Sequence, residues 1–118
     1  MQRRRLTRIA PFLISFAVTC AFFIDFCAAM FRCGCRSLWA GADLACNVHA
    51  AHGHHCPWCA TGYVGETIVM FAMCAPQFTI AMFTRWGFAV RTLAALAMFP
   101  IAGSVMSLIF GWIYAYWA

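Results

Sequence analysis

Residues 9–31 read IAPFLISFAVTCAFFIDFCAAMF, an apolar run interrupted by a single ionisable side chain, Asp25. A helix crosses the hydrocarbon core of a bilayer with roughly 17 to 25 mostly apolar residues, so this run is long enough to span. It follows directly on MQRRRLTR, the kind of basic segment that also opens a secretory signal peptide. Two features favour a retained helix. The run exceeds the roughly 7 to 15 residues of a signal peptide's apolar region, and Phe26-Cys27-Ala28-Ala29-Met30 makes a poor cleavage site.

Two further apolar runs, 67–83 and 92–117, have spanning length, the second with residues to spare for tilt. With 65% of 118 residues hydrophobic and 9% charged, the chain has too little polar surface to enclose itself as a water-soluble globule. The expected fold is therefore an all-α membrane protein of three transmembrane helices, with a Cys/His-rich extracytoplasmic loop between helices 1 and 2. The segments are a basic cytoplasmic N-terminus (1–8), helix 1 (9–31), the loop (32–66), helix 2 (67–83), a cytoplasmic link (84–91) and helix 3 (92–117).

The net charge of +5 comes from arginine, and in a soluble domain such an excess would suggest nucleic acid. Here the arginines punctuate apolar runs, which favours a role in membrane orientation and excludes a nucleic-acid partner. Arg3, Arg4, Arg5 and Arg8 precede helix 1, and Arg85 and Arg91 fall in or at the edge of the short link; the long loop carries only Arg32 and Arg36. The positive-inside bias then puts the N-terminus and the link in the cytoplasm, in what is expected to be a bacterial inner membrane, and the loop outside. Tyr114, Tyr116 and Trp117 suit an aromatic belt closing helix 3 on the outer side, and Trp86 the same inside.

Inside the loop, residues 46–59 read CNVHAAHGHHCPWC and hold all four histidines of the chain. Five of the eight cysteines are in the loop: Cys33, Cys35, Cys46, Cys56 and Cys59. Glycines and few branched aliphatics leave the loop without a core of its own, so something else has to order it. Cys46-Asn-Val-His49 and Cys56-Pro-Trp-Cys59 are two pairs, each with two intervening residues. Such pairs turn both ligand atoms toward one ion, and together they make a Cys3His set suited to zinc or copper(I). Cys33-Gly34-Cys35 forms a further pair of sulfurs, and His52, His54 and His55 could complete a second site or bind a passing ion weakly. A disulfide framework competes on an oxidising side of the membrane. Five cysteines leave one unpaired, however, and disulfides give no reason for four clustered histidines.

Cys56-Pro57-Trp58-Cys59 also resembles the Cys-Pro-x-Cys motif of thioredoxin-like oxidoreductases. That resemblance covers four residues and implies a Cys56 thiolate that attacks and a Cys59 that resolves; the strands and helices of the thioredoxin fold have no counterpart in this chain.

Within the spans, Asp25 is the ionisable group, and an intramembrane carboxylate is expensive enough to suggest function unless it is hydrated or paired with Arg32. Cys20 and Cys27 are seven residues apart and expected on one face. Met70, Met73, Cys74 and Gln77 have the spacing of a soft stripe along helix 2, ending near a kink at Pro76. Gly103, Ser107 and Gly111 form a small-xxx-small ladder on helix 3, expected to pack another helix of this chain or of a homo-oligomer or larger complex; Pro100 marks a kink. Asp25 and Glu66 supply negative charge where the loop meets the membrane. The function these features suggest is binding of a soft or borderline transition metal, Zn or Cu, for capture, transfer or metalloenzyme assembly, rather than enzymatic turnover. The alternatives are a membrane thiol-disulfide oxidoreductase and a structural zinc knuckle within a larger membrane complex.

Overall fold

The computed structural model describes residues 2–117, apart from the side chain of Asp43. The chain forms α1 (Gln2–Phe31), a one-turn helix α2 (Pro57–Ala60), α3 (Gly62–Phe83) and α4 (Phe88–Ile113), with short 3-10 turns at Ala42–Ala45 and Asn47–His49. Three of these helices, α1, α3 and α4, are long and apolar enough to cross a membrane. Hydrocarbon offers no partner to a bare N–H or C=O, so a spanning segment has to satisfy its backbone internally, and a helix does so within one segment. At 1.5 Å per residue α1 is about 45 Å long, longer than the ~30 Å hydrocarbon layer, so its arginine-bearing first turns extend past one face. Large apolar side chains such as Leu13, Phe71, Leu93 and Trp112 cover the outside of the bundle, as lipid contact requires.

The three spanning helices pack pairwise along small residues. On α3 the buried face is Gly65, Val69, Met73, Gln77 and Ala81, one residue per turn. Met73 and Gln77 from the expected soft stripe lie on this face, with Met70 and Cys74 at its half-buried edge. On α4 the ladder Gly103, Ser107 and Gly111 is buried within the chain itself. A Cβ at Gly103 would sit 2.6 Å from a ring carbon of Phe26 and 2.8 Å from the Met73 methyl, so α1, α3 and α4 converge there. One turn further into the bundle, Gln77 Nε2 donates to Thr19 Oγ1 at 2.9 Å, and Thr19 Oγ1 donates to the Ser15 carbonyl at 2.7 Å. All three side chains are buried, and a polar contact of this kind between membrane helices contributes roughly 0.6 to 2 kcal/mol.

At the end of the bundle away from the loop, arginines cap open carbonyls. The last carbonyls of a helix lack intrahelical partners, and Arg8 Nη1 donates to one of them, Met82 O, tying α1 to the end of α3. Arg91 is buried and donates to Trp86 O at 2.8 Å and to Thr7 O at 3.2 Å.

The helix ends differ from the apolar runs. α3 starts at Gly62 and α4 at Phe88, ahead of residues 67 and 92, because a helix propagates through polar residues as readily as apolar ones once its first turn is set. α4 stops at Ile113 instead of running to 117. Ala115 takes a left-handed φ of 50°, Tyr116 N donates back to Gly111 O at 2.8 Å, and Trp117 folds over Gly111. Tyr116 and Trp117 thereby turn inward onto Phe31.

Replacing Gly103 by Val should lower the thermal midpoint of the detergent-solubilised protein, since overpacking of this kind costs about 1 to 3 kcal/mol. Gly87→Ala, where a Cβ meets nothing within 4 Å, should leave it unchanged.

Candidate metal centre

Between α1 and α3 the chain is docked by an indole. Trp58, 1% exposed, stacks on Phe23 (ring centroids 5.3 Å apart, planes at 14°) and Phe26 (6.2 Å, 21°), and meets the edge of Phe31 (5.4 Å, 74°). Phe31 is covered on its other side by Trp117 at 5.4 Å and 13°. Pro57 opens the one-turn helix α2, its fixed φ suiting a first helical position, and the turn closes by Ala60 N donating to Cys56 O at 2.8 Å. The loop thus borrows its apolar core from the end of α1.

Asn47 ties the pieces together. Its backbone N–H donates to Cys33 O at 2.7 Å, its Oδ1 accepts from the Cys56 N–H at 2.6 Å, and its Nδ2 donates to Tyr116 Oη at 2.8 Å. Tyr116 Oη in turn donates to Phe31 O at 2.5 Å. One residue, through its backbone and its side chain, therefore holds the segments of Cys33, Cys46 and Cys56 and the C-terminal turn in a single register.

The result is a compact group of six thiols. Three trios bring their sulfurs within 4.8 Å of one another: Cys27, Cys33 and Cys56; Cys33, Cys35 and Cys46; and Cys46, Cys56 and Cys59. The sulfurs of Cys27 and Cys56 lie 3.3 Å apart. Five of the six are buried and Cys59 is half-buried. All eight cysteines of the chain are thiols in this structure. Gly34 makes the Cys33-Cys35 pair possible. Its φ is +89°, and a Cβ there would lie 2.5 Å from the carbonyl oxygen of Ala45.

Crowding splits the acidities of these thiols. Hydrogen bonds from Cys27 first, and then Cys56, pull Cys59 from an ordinary 9.0 down to about 5. Cys56 is also lowered, chiefly by hydrogen bonds from Cys27 and Cys33. Cys35 and Cys46 are pushed up, mainly by burial. Neighbouring S–H groups thus stabilise thiolate at the α2 turn, the protonation state that binds a soft cation.

The histidines are placed differently from the sulfurs. Among the described residues the trios contain cysteine alone, and His49, His52, His54 and His55 are exposed around them. His55 Nε2 lies 2.9 Å from Ala50 O, and the His54 ring meets the edge of Tyr116 at 6.3 Å. The two-pair spacing thus brings Cys46, Cys56 and Cys59 together, while the sulfurs added to them are those of Cys27, Cys33 and Cys35. Cys27 comes from inside the first apolar run. Its signal in the sequence was its position one turn before the end of that run, close to the loop; Cys20, two turns earlier on α1, is exposed instead. With Cys27 the group holds an even number of sulfurs, so the odd thiol that argued against a disulfide framework disappears. Asp25, near the loop end of α1, accepts a hydrogen bond from Ser37 Oγ at 2.6 Å. A cavity of about 370 Å³ opens next to the sulfurs, lined by Cys27, Cys35, Cys59, Trp58, Tyr63 and Glu66 among others.

Among known proteins, the chain matches no family model, and neither a curated protein nor a solved structure is similar to it at a significant level.

Gly34→Ala should open the group without removing a sulfur, raising the alkylation rate of Cys33 and Cys35 in the reduced protein. Left-handed backbone costs a non-glycine residue about 1 to 2 kcal/mol, and the Ala45 carbonyl adds a clash. Gly53→Ala carries the conformational cost alone, since its φ is +94° in open space, and should leave both rates unchanged. Because Cys59 is a thiolate above a pKa of about 5, its alkylation in the reduced, metal-free protein should stay fast as pH falls from 8 to about 6, where an ordinary thiol slows roughly a hundredfold. Cys27→Ala, which removes the largest cause and leaves that of Cys56, should make the rate fall more steeply over the same pH range.

Proposed function

We propose that this membrane protein captures a soft or borderline transition metal, zinc or copper, in its cysteine group and passes it on for transport or metalloenzyme assembly. The observation that carries the proposal is the convergence of six thiols from α1, the loop and α2 into overlapping trios at one end of the bundle. Thiolate sulfur selects soft and borderline cations, and a group so buried discourages exchange with bulk water. A bound ion would add its own bonds to segments that Trp58 and Asn47 already hold together. In this reading the arginine bias holds the N-terminus in the cytoplasm and presents the loop outward, where the exposed histidines 49, 52, 54 and 55 collect passing ions for the sulfurs. Asp25 and Glu66 add negative charge where the loop meets the membrane.

A second reading has an observation of its own. Cys59 is partly exposed and has a depressed pKa, so it could attack a disulfide of a partner protein with Cys56 resolving. The order differs from that implied by the Cys-Pro-x-Cys resemblance, because Cys56 is 0% exposed and cannot meet a partner's sulfur.

Elemental analysis of the protein purified in detergent, with free thiols counted in the same sample, tests the proposal. After reduction it should take up zinc or copper, and the combined Cys33→Ser, Cys46→Ser and Cys56→Ser variant should take up none. Replacing the four histidines by alanine should slow loading at low metal concentration and leave the final occupancy unchanged. Failure of the reduced protein to bind either metal, together with disulfide exchange that is lost on Cys59→Ser, would establish the second reading instead.

A further inference from the structure

The three trios overlap in a specific way. Cys33, Cys46 and Cys56 each belong to two trios, while Cys27, Cys35 and Cys59 each belong to one. Every pair among Cys33, Cys46 and Cys56 shares a trio, so these three sulfurs lie within 4.8 Å of one another and form a central triangle. Each edge of that triangle is capped by one of the other three. From this pattern we infer that the group holds three copper(I) ions, one in each trio, with Cys33, Cys46 and Cys56 as bridging thiolates and Cys27, Cys35 and Cys59 as terminal ones. The inference rests on the metal-binding reading above and specifies its stoichiometry and oxidation state.

Coordination arithmetic decides between metals. Three ions bound by three sulfurs each need nine metal–sulfur bonds; six thiolates supply nine when three are shared between two ions and three serve one. Zinc is tetrahedral in closed sites, with Zn–S near 2.3 Å, which places its four sulfurs about 3.8 Å apart along every edge. Each of the three trios offers three sulfurs, one short of the four that a closed tetrahedral zinc site takes. Copper(I) is soft, has a filled d shell and accepts three thiolates in a plane.

Access to the group follows the same division. The cavity of about 370 Å³ is lined by Cys27, Cys35 and Cys59, the three terminal sulfurs, and by none of the three bridging ones. An ion enters through this cavity, past Glu66 and Tyr63, and meets a terminal sulfur first. Copper arrives as Cu(I), so no electron changes hands. Each thiol that becomes a ligand gives its proton to solvent.

The test is a titration of the full-length, reduced protein in detergent without oxygen, using Cu(I) from a competing chelator and, separately, Zn(II), with bound ions counted by native mass spectrometry. The expected endpoint is three Cu(I) per chain, with species of one and two ions sparse because shared thiolates couple the sites. Zn(II) should stop at one ion. A Cu(I) endpoint other than three, or three that load independently, overturns the cluster while leaving metal capture standing. Binding of neither metal overturns both. Cys35→Ser destroys one trio and should lower the endpoint to two; Cys33→Ser destroys two and should lower it to one. Equal losses from the two variants would refute the sharing. Should either variant fail to fold, the endpoint and cooperativity of the unsubstituted protein still decide the matter.

Discussion

The arrangement depends on one contact, the stacking of Trp58 against Phe23, Phe26 and Phe31 at the end of α1. Aromatic side chains bury a large apolar area, and this one belongs to a loop with few other apolar side chains to bury. By anchoring α2 to α1 it carries Cys56 to within 3.3 Å of Cys27. The thiol group is consequently a product of helix and loop together. Without Trp58 in place, Cys27 would face the end of the bundle alone.

Around that anchor, polar contacts set the register that hydrophobic packing leaves loose. Stacked rings tolerate sliding; a backbone N–H bonded at 2.6 Å to a fixed amide oxygen does not. Asn47 joins the Cys33 backbone, the Cys56 backbone and Tyr116, and Tyr116 passes the constraint to Phe31 at the end of α1. The membrane part contributes rigidity of the same kind through Thr19 and Gln77, and the opposite end through Arg8 and Arg91. The six thiols are thereby held in place by the protein's own contacts.

The degree to which the fold and the site could be read in advance varies with the range of the interactions involved. Spanning helices answer to a local rule, apolar length against bilayer thickness, and α1, α3 and α4 are each long and apolar enough to satisfy it. The small-residue ladder on α4 was legible as a packing surface for the same reason, though only the positions of Phe26 and Met73 show that it packs within the chain. The cysteine pairs marked the loop as a possible metal-binding segment. Their grouping was hidden, because pair spacing describes neighbours along the chain and the trios form between segments up to thirty residues apart. Histidine density in the loop suggested imidazole ligands; the structure puts the four rings on the exposed side, around a group made of sulfur.

Composition and apolar run length were sufficient to determine a three-helix membrane bundle with a cysteine-rich connection, since transfer of a segment into lipid depends on that segment's own residues. Which sulfurs meet was decided in three dimensions. Cys27 joins the group and Cys20 does not, although both lie on α1, because Trp58 and Asn47 bring the loop down onto the last turns of that helix and no further. Coordination depends on distances between atoms remote in sequence, and those distances exist only once the chain has packed.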